Sequence, residues 1–351
     1  MQRVALCCAV AFILAAPSAA PAQQSESGGP YRVLKTVKAG GGDGGFDYTN
    51  VDVAGRRLYI ARRGAGAQVP HIAVYDLDTL AQVGDIPNAN AHGAVIDAKS
   101  GHGFASTKPI QEFDTKTLKP IKQIEVQGNP DGMFFDPYNQ RAYVLSHEMP
   151  HVTVIDTKDG NVLGTIDLGG APEQMTSDGR GHLYVDVEDM HNVAVIDAKT
   201  MKVTAHYDLE GQGGTCAGLA MDPRSRVLFA ACRNPQNMVM LNADTGKILG
   251  TVPLGRGTDG AVFNPATGEA FSSQTDGTLT VVKENSPTSF TVEQTVQTMP
   301  TAKTMALDSK TNHLILIAAQ YPPEPPRPAQ GGQGRRAPMI PGSFTILVVG
   351  K

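Results

Sequence analysis

The sequence lacks most of the marks that would assign it quickly. No run of basic residues exceeds two, as at Arg335-Arg336, which argues against nucleic acid as a partner. There is no C-x-x-C pair and no C-x-x-C-H, so neither a thioredoxin-like redox pair nor a covalent c-type haem is expected. There is no G-x-S-x-G elbow, no P-loop and no glycine-rich dinucleotide fingerprint between a strand and a helix. No nucleotide cofactor is therefore expected, and no Ser/His/Asp order can be read. The one long apolar run is "VALCCAVAFILAA" near the start. It follows Arg3 and precedes "APA" at Ala20–Ala22, so residues 1–22 read as a secretory signal peptide. The run is too short for a membrane span. Residues 23–30 then form a short linker.

What remains is enough for a large core: 351 residues in all, 41% hydrophobic and 18% charged. Taking off residues 1–22 removes Arg3 and no acid, leaving 29 basic against 34 acidic residues. Two of four cysteines leave with the signal. Cys216 and Cys232 remain, in a periplasmic or secreted and hence oxidising setting.

The chain repeats itself. "HVTVIDTKDGNVLGTIDLGGAPEQM", from His151, returns 41 residues later as "NVAVIDAKTMKVTAHYDLEGQGG", from Asn192, and again as "NMVMLNADTGKILGTVPLGRGTDG", from Asn237. A second series, strands ending in Asp or Asn before a turn, falls at Asp52, Asp97, Asp136, Asp178, Asp222, Asn264 and Asp308, at spacings of 45, 39, 42, 44, 42 and 44. Four strand-like runs per unit at this period predict a β-propeller. The fold class is all-β, with seven four-stranded blades. Strand three, as in "HVTVID", alternates as a half-buried strand does. Asp156, Asp197 and Asn242 are placed to cap the following turn. Seven inner strands but six outer ones leave a gap in the last blade. "YRVLKTVKA", Tyr31–Ala39, is expected to fill it and close the ring, making 31–351 one domain.

Residues 147–151 spell H-E-x-x-H. That zinc motif needs a helix, and Pro150 would break it. His147 and His151 are expected as solvated residues of a loop between strands two and three. A tight hairpin in which both share an ion is the weaker reading.

"YVLSHEMPHVTVIDTKDGNVLGTIDLGGAPEQM" and its copies resemble the YVTN repeat of YncE-like seven-bladed propellers. The resemblance covers about 31–351. It is specific for fold and not for activity. Similar propellers occur as lactonases and as domains of periplasmic redox enzymes. Blades two, six and seven depart from the pattern, and residues 320–343 insert a Pro/Gly-rich loop into the last blade, read as a lid, a docking arm or a plain linker.

The residue five before each inner-strand end is Asp47, His92, Asp131, Glu173, Ala217, Asp259 or Lys303. These converge on one mouth of the channel. Four carboxylates there need a cation or Lys303 to offset their repulsion. Either the ring holds a ligand, or it is a hydrated rim. A metal would be held by His92, Asp131 and Glu173, with Ca²⁺, Mg²⁺ or Zn²⁺ as the candidate ions. The loops between strands two and three add Arg62, Arg63, His71, His147, Glu148, Asp189, His191 and Arg233 to that face. Cys216 and Cys232 should pin one hairpin as a disulfide, although a one-residue register error is easy there. The expectation is an exported, monomeric, non-catalytic propeller binding a small ligand or a periplasmic protein at this face. Two alternatives stay open: a metal-dependent, lactonase-like hydrolase, and an accessory partner of a periplasmic redox enzyme.

Overall fold

All seven Asp or Asn residues that end an inner strand turn their side chains back onto the chain. Gly55, Lys99, Tyr138, Arg180, Arg224, Ala266 and Lys310 donate backbone N–H groups to the carboxylate or amide oxygens of Asp52, Asp97, Asp136, Asp178, Asp222, Asn264 and Asp308, at 2.8–3.2 Å. Each turn thereby gains an acceptor for an otherwise unpaired N–H. Asp156, Asp197 and Asn242 do the same one turn later in their blades. The repeat in the sequence is therefore a repeat of turn chemistry.

The computed structural model describes residues 28–42, 44–64, 68–323 and 337–351. The expected signal peptide at residues 1–22, most of the expected 23–30 linker and the middle of the 320–343 insertion lie outside them. The described residues form strands and turns with no helix, and so no helix long and apolar enough to cross a membrane. They make seven four-stranded antiparallel sheets. Six run in sequence order. In the seventh, Arg32–Lys38 pairs with Thr345–Gly350, from Arg32 opposite Gly350 to Lys38 opposite Thr345. The N-terminal strand thus closes the last blade.

Strand three proves buried on both faces, unlike a half-buried strand. Val152, Thr153, Val154 and Ile155 are all buried. The reason is that blades stack face to face around the axis. Between blades three and four, Leu145, Val154 and Ile166 pack on Met175, Leu183 and Val185. Burying each such side chain contributes about 1.5–3 kcal/mol. The outer strands stay largely exposed.

Polar latches also tie the blades. Thr157 donates to Asp97, Ser177 to Asp136 and Arg226 to Asp178 in the preceding blade. Arg56 of blade one reaches Asp308 of blade seven in a forked pair at 2.8 and 2.7 Å. Asp308 is 2% exposed. Burial works against its charge, but the Arg56 bonds outweigh it and hold the carboxyl at about 2. Removing Arg56 would strand that charge. Arg56→Ala is expected to lower the unfolding free energy by about 3 kcal/mol in urea titrations. A loss under about 0.5 kcal/mol would show that the seam does not depend on this pair.

Candidate functional site

The inner strands begin at one end of the channel, and the residues at or just before their starts gather around the axis there. Asp47, His92, Asp131, Glu173, Asp259 and Lys303 do meet at this mouth. They meet as ion pairs. His92 Nδ1 lies 2.8 Å from Asp47 and 3.0 Å from Asp131. His147 Nε2 lies 3.7 Å from Asp131 and 3.8 Å from Glu173. Arg233 is 4.0 Å from Glu173 and 3.2 Å from Asp259. Lys303 is 3.2 Å from Asp259 and 3.5 Å from Asp47. Acid and base alternate around a closed circuit of eight side chains. Blade five carries Ala217 at its ring position, and Arg233, just past the end of its second strand, fills the space.

The circuit sets the protonation of its members. Burial pulls His92 down, but hydrogen bonds to Asp131 and Asp47 outweigh it and raise it from 6.5 to about 9. It is an imidazolium at neutral pH, sharing one Nδ1 proton between two carboxylates. Burial would raise Asp47, yet His92, Lys303 and Arg63 bring it below its ordinary value. Burial opposes the charge of Lys303 too, and Asp259 and Asp47 more than restore it. Glu173 differs. Burial, a proton shared with Glu188 and the charge of Asp186 push it from 4.5 up to about 9. Burial also pushes Asp186 from 3.8 up to about 8, against a 2.5 Å hydrogen bond from the Gln174 amide.

One step inward the channel narrows. Tyr48 reaches from blade one to Glu173 on blade four, with its Oη 3.4 Å from Oε2. The Gln174 amide side chain accepts from the N–H groups of Leu219 and Ala261 and donates to the Ala261 carbonyl. At this level a Cβ on Gly218 would sit 2.6 Å from the Gly260 carbonyl carbon, and one on Gly132 would sit 3.1 Å from the Glu173 carbonyl oxygen. Glycine there lets the inner strands converge. Tyr48, Glu173 and Gln174 themselves line a cavity of about 380 Å³ that continues past Met175, Met221 and Leu307.

The expected rim needs correction by one residue. Arg62 is 2% exposed, with its guanidinium carbon 3.8 Å over the Phe344 ring. It is Arg63 that faces Asp47, at 3.6 Å. Glu148 is exposed and stands outside the circuit, and Asp189 accepts the Ala171 N–H. Glu188 takes the inward place instead, 2.9 Å from Arg233. His191 accepts the Thr215 N–H, and His71 Nδ1 lies against the Val69 carbonyl. The position that faces the mouth is the first residue after strand two, which Arg63, His147, Glu188 and Arg233 occupy. Side chains alternate along an extended chain, so a one-residue slip reverses them.

His147 and His151 do not share an ion. His147 points to the circuit. His151 is 7% exposed and bonds Asp167 at 2.7 Å and the Leu168 N–H, so it is not a solvated loop residue. Nor are His92, Asp131 and Glu173 gathered as one metal set. Among the described residues, two groups of three possible ligands lie within 4.8 Å: Asp47, His92 and Asp131, and His147, Glu173 and Glu188. Cys216 and Cys232 stand opposite each other on neighbouring strands and form a disulfide.

No protein-family profile matches the chain. Over 167 residues it is 28% identical to "Uncharacterized protein YncE" of Salmonella typhi and to that of Salmonella typhimurium, covering 45% of this chain and 46% of each relative. The match thus spans about half the length of these curated relatives. The chain is a seven-bladed propeller similar to YncE over that stretch. Among solved structures it superposes on a chain of a mitotic checkpoint complex, with TM-score 0.69, 14% identity, and coverage of 88% of this chain and 94% of that one. It also superposes on the RRP9 WD40 repeats, with TM-score 0.69, 12% identity, and coverage of 92% and 100%. At such identities the YncE-like propeller shares only its fold with them.

The raised His92 value carries a sign. A base whose pKa is higher folded than unfolded stabilises fully below the unfolded value of 6.5, and the effect fades as pH rises through about 9. Glu173 and Asp186 act in the same direction, since unfolding releases their protons. Wild type should exceed His92→Gln in stability by on the order of 3 kcal/mol near pH 6, with the gap closing by about pH 10. Urea unfolding across that range checks it. A gap that did not change with pH would show that His92 is not the imidazolium of the circuit.

Proposed function

We propose that the channel-mouth face docks a partner protein outside the cytoplasm, without catalysis. The carrying observation is a set of exposed apolar side chains around the charged centre. Val69, Met149 and Met190 are each more than half exposed, and Ile340 is 40% exposed. All four lie in loops between strands two and three, on the circuit's face. Apolar anchors on an otherwise polar surface mark contact sites, and methionine adapts to varied partners. The circuit suits such burial. Its acids and bases are paired internally, so a covering surface strands few charges. Tyr48 and Gln174 reach across the channel beneath, between the mouth and the cavity they help to line. Catalysis would need a free base, and Asp47 is held by three cations. The Cys216–Cys232 disulfide fits an oxidising compartment, in support of a periplasmic or secreted location.

A second reading rests on a notch of about 300 Å³ on the same face, lined by Arg63, Asn88, Asn90, His92, Lys108 and Asn129 among others. Its cations and amides would suit a small anionic ligand. Affinity capture from the native extracytoplasmic fraction separates the two readings. Wild type should retain a defined partner that Met149→Asp/Met190→Asp does not. If the double variant kept the same partner, or wild type kept none, the docking reading would fall.

A further inference from the structure

We propose that His147, Glu173 and Glu188 form a site for a divalent transition-metal cation such as Mn²⁺ or Zn²⁺. The site does not depend on the docking reading. The three residues come from two adjacent blades. His147 follows the second strand of blade three, Glu188 the second strand of blade four, and Glu173 lies on the inner strand of blade four. One donor atom from each falls within 4.8 Å of the others. Donors bound at ~2.1 Å around one ion stand ~3.4 Å apart in a tetrahedral site, so a pair at the outer limit must close by about 1.4 Å on binding. His147 and Glu188, each just past a strand end, can supply that movement. Asp131 Oδ2, 3.7 Å from His147 Nε2, stands ready as a further oxygen donor. An imidazole with carboxylates suits Mn²⁺ or Zn²⁺ better than the all-oxygen preference of Ca²⁺.

A second observation points to the same place. Asp186 is fully buried, and its Oδ2 has no hydrogen-bond partner. It lies two residues before Glu188, on the same face of the strand. Its other oxygen holds the amide of Gln174, beside Glu173. A buried carboxylate oxygen without a partner calls for an explanation, here as at Glu112, Asp136 and Glu284. Of these four, Asp186 is the one bonded to the residue next to Glu173, where a cation would offset the charge of the acidic cluster.

The charges are also uneven. Asp47 has cations at 2.8, 3.5 and 3.6 Å, and Asp259 has two at 3.2 Å. Around blade four, Glu173, Asp186 and Glu188 have one permanent cation, Arg233, which Asp259 shares. The alternation is weakest here, with Glu173 no closer than 3.8 Å to any basic side chain. Arg233 occupies part of the place a metal would take. An incoming ion must draw Glu188 away from it, so Arg233 is a built-in competitor.

The test is calorimetric titration of the chelator-stripped full chain with Mn²⁺ and with Zn²⁺, beside Mg²⁺ and Ca²⁺. Wild type should bind one equivalent of Mn²⁺ or Zn²⁺. Glu188→Gln and His147→Gln should each weaken binding about tenfold or more. Arg233→Gln should tighten it, which a merely structural arginine would not do. His151→Gln, in the same hairpin but bonded to Asp167, should leave it unchanged. Circular dichroism checks that each variant is folded. No saturable binding of either ion by about 1 mM, or unchanged binding in folded Glu188→Gln and His147→Gln, would overturn the proposal.

Discussion

A ring of sheets is held together at its last seam. Six blades of this propeller form from consecutive chain and need only local hairpins. The seventh needs Arg32–Lys38 to find Thr345–Gly350 across the length of the domain. The loop-closure entropy of that pairing is offset by what it completes, since it leaves neither the first nor the last blade with an open face. Other bonds cross the same seam. Arg56 holds Asp308, Lys303 reaches Asp47, and Thr304 donates to the Asp47 carbonyl. The circuit at the mouth is thus also a product of closure, because it cannot be complete until blade seven meets blade one.

Closure explains why these charges stand as an ordered, alternating circuit. Seven inner strands drawn to one axis bring the residues at or near their starts together whatever those residues are. Like charges there would repel in a partly dry mouth, and burial would add its own cost. Alternation answers both problems. Each carboxylate between blades six and three has a cation within 3.5 Å, and His92 is kept protonated to serve two of them. Blade five shows how exact position is subordinate to charge. Its ring residue is Ala217, and Arg233 comes in from the next strand to keep the sequence of signs.

The same logic separates what the sequence revealed from what it hid. The inner-strand ends were legible because an Asp or Asn capping a turn recurs at nearly fixed intervals. The ring residues were legible because they sit five positions before those caps, on the same strand. The second tier needed an exact strand end. Without it, Arg62 and Glu148 were set on this face together with Arg63 and His147, and Asp189 took the place of Glu188. Tyr48 and Gln174 were not legible at all, because their partners lie 125 and 87 residues away on other blades. Asp186 carried no signal either: it is one acid in an apolar strand, and its importance comes from burial beside Glu173. The propeller's two-sided blades also misled the reading of strand three, in which a Thr between two Val suggests a wet face that stacking removes.

An internally paired face constrains what it can recognise. A ligand that binds the His92 side of the circuit must break short ion pairs and leave their partners exposed to each other, so most of its gain is cancelled. The blade-four side is different. There Glu173 has no basic side chain closer than 3.8 Å, the carboxylates outnumber their cations, and burial pushes Glu173 and Asp186 toward their protonated forms. Recognition of a cation, or of a cationic group on a partner, is therefore favoured at this sector, while the opposite sector serves mainly to hold the mouth rigid. The exposed Met149 and Met190 flank that same sector, one from blade three and one from blade four. A covering surface that reached both would lie over the one part of the ring whose charges still have something to gain.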